Sequence, residues 1–209
     1  MKNLEILTKR YSALEECENE IKSAIEALIS AYKSGGKLLL CGNGGSCADC
    51  DHIVGELMKG FLKKRPVSDE KREEMKERTD INDELIAKLQ GGLPAISLPS
   101  ICALSSAFAN DVDPELTYAQ SLYALGRKGD VLIAISTSGN AKNVFAAAKV
   151  AKSIGMTVIA LTGEGRGALG SLADIVIAVP ERETYKIQEL HLPVYHAICA
   201  EVEEYFFKI

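Results

Sequence analysis

The sequence has no excess of positive charge. Its 24 lysines and arginines are outnumbered by 29 aspartates and glutamates, for a net charge of −5 at neutral pH. Holding a phosphate backbone requires a concentrated basic surface, so nucleic acid is excluded as a main partner. No apolar run approaches the ~18 residues that a membrane helix needs, and no membrane partner is expected. The opening residues, MKNLEILTKRY, carry charges where an export signal would place an apolar core. The expected location is therefore cytoplasmic. The six cysteines, Cys17, Cys41, Cys47, Cys50, Cys102 and Cys199, are scattered rather than framed for disulfides, and a reducing compartment keeps them as thiols. What is present is an ordinary globular composition: 47% hydrophobic over 209 residues, enough for one compact domain with a substantial core.

Apolar side chains recur at Leu4, Leu7, Tyr11, Leu14, Ile21, Ile25, Leu28 and Tyr32, in steps of three and four that only Glu18 interrupts. The spacing predicts one helix over residues 3–34. At 1.5 Å per residue it would be about 45 Å long, more than a small domain covers, so part of its seam is expected to pack on other subunits. Residues 1–35 are thus assigned as an N-terminal oligomerisation helix and 36–209 as the main domain. From residue 36 short unalternating apolar runs appear at 37–41, 94–98, 130–136, 156–162 and 174–179, separated by helical stretches at 47–62, 101–109 with 114–126, 141–153 and 184–207. Such runs suit strands covered on both faces. The alternation predicts a three-layer αβα sandwich on a five-stranded parallel sheet, with ligands at the strands' carboxyl ends. The segment 68–90 is highly charged and reads as a helical excursion, either a lid over a site or a solvated helix.

Two polar loops follow strands and precede helices. The first, 42-GNGGS-46, combines glycines with Asn43 and Ser46 at a helix start, where free N–H groups and the helix dipole favour an anion. It matches neither G-x-G-x-x-G nor G-x-x-x-x-G-K-[ST], so no nucleotide cofactor is indicated. The second, 136-STSGN-140, sets Ser136, Thr137 and Ser138 in a row, three hydroxyls that can donate to phosphate oxygens. Two such loops on one sheet edge point to a phosphorylated ligand. His52 and Glu56 lie four apart on the helix after the first loop, hence on one face, from which Asp49 and Asp51 are expected to diverge. Near the other end, 187-IQELHLPVYH-196 holds Gln188, His191 and His196, and Pro193 is expected to bend that helix. The three histidines with Glu56 and Gln188 suggest acid–base chemistry or a metal. Cys47 and Cys50 form a C-x-x-C without the second pair that a structural zinc site needs, and read as packing residues.

In chain order, GNGGS, H-x-x-x-E, STSGN and I-Q-E-x-H-x-x-x-x-H resemble the sugar isomerase (SIS) family, and within it the phosphoheptose isomerases. The resemblance spans nearly the whole chain. It implies a flavodoxin-like sheet and a homotetramer whose N-terminal helices form a central bundle, with active sites at subunit boundaries. The implied reaction interconverts sedoheptulose 7-phosphate and D-glycero-D-manno-heptose 7-phosphate. It implies Glu56 and His196 as the acid–base pair, and His52, Glu56, Gln188 and His196 as holders of one zinc per subunit in members with the metal. Asn43, Gly44, Gly45, Ser46, Asp111, Ser136, Thr137, Ser138 and Gln188 are the implied substrate contacts. Cys47 and Ala141 depart from the pattern, standing where the family often has histidine and serine. The alternatives are isomerisation of another sugar phosphate, or a non-catalytic scaffold of the kind that associates with the bacterial replication initiator. Such scaffolds lack parts of the acid–base set, whereas Glu56 and His196 are both present here.

Overall fold

A computed structural model describes residues 1–207. Five strands, β1 (Leu38–Cys41), β2 (Ala95–Ser97), β3 (Val131–Ile135), β4 (Thr157–Gly163) and β5 (Ile175–Val179), form one sheet in the order β2-β1-β3-β4-β5. Every pairing is parallel, with Leu40 opposite Ile133, Ile133 opposite Ile159 and Leu161 opposite Ile177. The sheet's two faces are both dry, which explains the unalternating apolar runs. Leu38, Leu40, Ile133, Ile135, Ile159 and Leu161 pack into one core with α2 (Glu18–Lys33), α3 (Gly45–Met58) and α10 (Thr184–Phe206). Their sequence neighbours Leu39, Cys41, Leu132, Ala134, Val158 and Ala160 face the opposite core, under α7 (Thr117–Leu125) and α8 (Lys142–Ser153). The expected three-layer sandwich is present.

The N-terminal region is not one helix. It divides into α1 (Lys2–Arg10), a 3-10 stretch (Ser12–Cys17) and α2, with the break at Tyr11. A 3-10 stretch keeps the i, i+3 repeat, so the apolar spacing could not distinguish a folded helix from a straight one. Folding lets the chain cover most of its own seam: Leu4, Leu7, Leu14, Ile21, Ile25 and Leu28 are all buried within this chain, while Tyr11 and Tyr32 are half-buried. The first turn of α1 is held from afar. The Glu201 carboxylate on α10 accepts from the Asn3 and Leu4 N–H groups, the second at 3.3 Å, satisfying donors that a helix start leaves free. Glu18, the one interruption in the pattern, is the first residue of α2.

The charged segment folds as α4 (Asp69–Arg78) and α5 (Asp83–Lys88), capped by the Ser68 and Asn82 side chains. In the two helices only Ile86 is buried. Between β2 and α7 lies α6 (Cys102–Asp111), and α9 (Gly167–Leu172), which the sequence pattern did not indicate, links β4 to β5. The last helix continues through Pro193, whose missing N–H leaves the Glu189 carbonyl without its helical donor. No helix among the described residues is long and apolar enough to cross a membrane.

Glu201→Ala removes the remote cap of α1. Urea denaturation should show a loss of about 1–2 kcal/mol, the usual cost of deleting an N-terminal cap.

Candidate active site

The strand order reverses direction at β1 and β3, and the loops that follow these two strands flank the switch point. Gly44 sits at φ 55° and ψ −121°, a backbone state open in practice only to glycine, and it turns the chain directly into α3. At Gly45 a Cβ atom would come 2.7 Å from Gln188 Nε2, so the absent side chain lets the α10 amide lie against the α3 N-terminus. Ser46 is buried in the first turn. Asn43 is tied into a small network: its Nδ2 donates to Asn143 Oδ1 at 2.9 Å, Asn143 Nδ2 donates back at 2.9 Å, and the Tyr118 hydroxyl donates to Asn43 Oδ1 at 3.2 Å. Across the switch point Ser136 is buried. Thr137 and Ser138 line a cavity of about 360 Å³ together with Gly163, Gly165 and Ile187, the residue before Gln188.

The side chains of α3 and α10 meet one helix length farther on. His52 is the junction. Its Nε2 lies 3.2 Å from Glu56 Oε1 and 3.4 Å from His196 Nε2, while its Nδ1 lies 3.0 Å from the Tyr195 hydroxyl. That hydroxyl also reaches Asp49 Oδ1 at 3.2 Å, so Asp49 joins the cluster through Tyr195 instead of diverging from it. One turn of helix separates Asp49 from His52, and the buried tyrosine spans the gap. The other Glu56 oxygen, Oε2, is buried without a hydrogen-bond partner; the Lys59 ammonium stands 3.8 Å away, too far to bond. Burial lowers the proton affinity of His196, and the neighbouring His52 adds to this, while Glu56 opposes it. Burial and His52 both favour the neutral imidazole. Burial raises the Asp49 carboxyl, against the Tyr195 hydrogen bond and His52.

These sites compare directly with known proteins. The SIS domain model matches residues 4–163. The chain belongs to the SIS domain family. A phosphoheptose isomerase of Methylibium petroleiphilum is 38% identical over 197 residues, covering 93% of this chain and 86% of that protein. One from Helicobacter pylori is 36% identical, covering 93% and 88%. Among solved structures, a phosphoheptose isomerase from Neisseria gonorrhoeae superposes with a TM-score of 0.74 at 31% identity, covering 94% of each chain.

Not every expected site residue of this SIS chain joins the cluster. His191 is fully buried and turned away, its Nε2 3.2 Å from the Thr162 carbonyl at the end of β4, so it belongs to the core and not to the polar patch. Asp111 ends α6 on the surface, where its carboxylate accepts from Asn110 Nδ2, and no contact joins it to Glu56 or His196. Cys50 packs in the core and Cys47 is half-buried, as packing residues. Tyr195, Asn143 and Tyr118 were not anticipated. Tyr195 stands next to His196 in sequence, but only the helix geometry places it over His52.

Burial depresses the His191 pKa from 6.5 to about 4, against the bond to Thr162. The unfolded ring takes a proton below 6.5 and the folded ring refuses it until about 4, so stability present above that window is lost as pH falls through it. Between about pH 7 and about pH 5 the loss from this one group should reach about 2 kcal/mol. In His191→Gln, urea titrations at the two pH values should show that part of the slope gone.

Proposed function

We propose that this chain interconverts sedoheptulose 7-phosphate and D-glycero-D-manno-heptose 7-phosphate, the reaction named for its phosphoheptose isomerase relatives. The observation that carries the reading is the meeting of Glu56 and His196 at His52, on the two helices that begin beside the phosphate-type loops. The substrate phosphate binds at the α3 N-terminus, held by the Gly44 and Gly45 backbone and by the hydroxyls of Ser46, Ser136, Thr137 and Ser138. Asn43 and Gln188, which lie beside the α3 N-terminus, take sugar hydroxyls. The chemistry is an internal redox exchange that needs no outside oxidant. Glu56 removes the proton from the carbon beside the carbonyl, giving an enediol, and returns it to the neighbouring carbon. Its unpaired Oε2 is an oxygen with free accepting capacity, as such a base requires. His196, whose burial favours the neutral ring, donates an N–H to the carbonyl oxygen and moves the hydroxyl proton.

Zinc belongs to the same proposal: His52, Glu56 and His196, which meet at one point, and Gln188, which lies against Gly45 nearer the start of α3, are the residues that would hold it. Among the described residues no three His, Cys, Asp or Glu side chains form a ready-made metal cage. The donor types nevertheless suit zinc. The 3.2 and 3.4 Å separations match the edge of about 3.3 Å of a tetrahedron of nitrogen and oxygen ligands at zinc distances. The Tyr195 hydroxyl at His52 Nδ1 can also fix the tautomer that leaves Nε2 free to ligate. Bound there, the metal would stabilise enediolate charge as a Lewis acid. A homotetramer and a cytoplasmic location complete the proposal. Support for further subunits comes from α6, which has no buried residue, and from the exposed Val112, Leu116 and Tyr123 near it.

A second reading, isomerisation of a sugar phosphate of another length, rests on Ala141. It stands at the N-cap of α8 beside the serine loop, without a side-chain hydrogen bond and without a hydroxyl for phosphate.

Incubation with ketose phosphates of five to seven carbons, with and without zinc, should give the aldose fastest from the seven-carbon ketose. Glu56→Gln should lower kcat by about 10²–10⁴-fold. An active Glu56→Gln, or a wild type silent on every ketose under both conditions, would remove the catalytic assignment.

A further inference from the structure

Arg65 and Glu203 form an ion pair that is almost wholly shut off from water, with side-chain exposures of 0% and 1%. A buried pair of this kind is seldom kept for net stability, because stripping water from both charges offsets most of their attraction. What it touches points to another use. Arg65 Nε donates to Glu203 Oε1 at 2.8 Å, Nη1 donates to the Leu57 carbonyl at 2.6 Å, and Nη2 donates to the Glu56 carbonyl at 3.0 Å. The last two are carbonyls of the final turn of α3, where a helix leaves its acceptors without partners. The guanidinium therefore closes the end of the helix that bears Glu56, holding that residue by its own backbone oxygen.

Glu203 makes the matching attachment on the other side. It lies seven residues beyond His196 on α10, close to two full turns, and so on nearly the same face. Its Oε1 accepts from Phe61 N at 2.9 Å, and its Oε2 accepts from Leu62 N at 2.8 Å and Lys63 N at 3.2 Å. The chain leaving α3 is thus gathered onto α10 by one carboxylate. Phe61, fixed through its N–H, lays its ring beside the His196 imidazole with centroids 5.5 Å apart. The Phe207 ring covers the guanidinium, with the Arg65 Cζ atom 4.5 Å from its centroid.

We infer that the Arg65–Glu203 pair is a positioning clamp for the isomerisation: it sets the separation of Glu56 and His196 and seats Phe61 against the imidazole. The clamp rests on the isomerase reading for its effect on turnover, but its geometric content stands apart from any substrate. The phosphate loops lie at the opposite end of α3 and take no part in it.

The test uses Arg65→Lys, which keeps the charge but cannot reach both carbonyls, and Phe61→Leu, which changes a half-buried ring without touching the ion pair. In Arg65→Lys, kcat on sedoheptulose 7-phosphate should fall about ten- to a hundredfold, as a displacement near 1 Å at the reacting groups would cause. KM and the affinity for inorganic phosphate, measured by calorimetry, should stay within about twofold, since the anion loops are untouched. The imidazole nitrogen signals of His196 in a ¹⁵N-histidine sample should move in both variants. A folded Arg65→Lys with wild-type kcat and an unmoved His196 signal overturns the clamp, as does a loss of phosphate affinity in step with kcat, which would indicate general loosening. If Arg65→Lys does not fold, Glu203→Gln, which keeps the side chain's shape but removes its charge, takes its place: a shifted His196 signal with lower kcat upholds the inference, and an unchanged signal refutes it. Should the wild type turn over no ketose phosphate, the isomerase reading fails while the His196 signals still report on the clamp.

Discussion

The packing of α10 across α3 and the sheet is the constraint on which the rest of the molecule depends. Val194, Tyr195, Ala197, Ile198, Cys199, Ala200 and Val202 are all buried, so this one helix closes the core that Leu38, Leu40, Ile133 and Ile159 leave open on one sheet face. Burying Val194, Ile198 and Val202 contributes roughly 1.5–3 kcal/mol each, and the helix cannot leave without exposing the strands beneath it. Two carboxylates on its buried side, Glu201 and Glu203, would be costly if unpaired. Each accepts from backbone N–H groups of a different part of the chain, the start of α1 and the segment after α3, and Glu203 is also paired with Arg65. The helix that supplies His196 is therefore also the helix that tells two distant segments where to lie.

That arrangement divides the site's labour along α3. At its N-terminus the requirement is for backbone donors and a concave, glycine-lined approach to an anion. Toward its far end His52 and Glu56 stand in contact in a partly dry setting. A single helix about 20 Å long holds both at fixed separation, which suits a substrate with a phosphate at one end and a reacting carbonyl at the other. The sheet contributes the serine-rich loop at the neighbouring strand end, so only two crossover connections need to be correct for the two loops to meet.

Much of this was legible in the sequence because it follows from local pattern. Five apolar runs with glycine or serine punctuation gave the strands, their parallel pairing and the site-bearing edge. The i, i+4 spacing of His52 and Glu56 put them on one helix face. What was not legible depended on long-range packing. The bend at Tyr11 follows from α1 finding cover on α10, and three-four periodicity reads the same in α and 3-10 geometry. His191 looked like a companion of His196, yet five residues along a helix turn it by roughly 140° from that residue, toward Thr162. Tyr195 and Arg65 are invisible to motif reading: one reads as a core aromatic and the other as a surface charge, and only the fold brings them to His52 and to the Glu56 carbonyl.

The charged excursion is joined to the body at a narrow neck. Pro66 and Gln90 form an antiparallel bridge, Gln90 Oε1 accepts from Gly60 N at 2.7 Å, and Gly91 N donates to the Arg65 carbonyl at 2.6 Å. The chain thus returns almost to the point from which it departed, and the ends of the excursion are fastened whatever lies between them. Because loop closure grows only logarithmically more costly with length, the exposed residues between them, the buried Ile86 apart, are little constrained by closure. The neck thus holds the departing and returning chain in place independently of how residues 67–89 are folded.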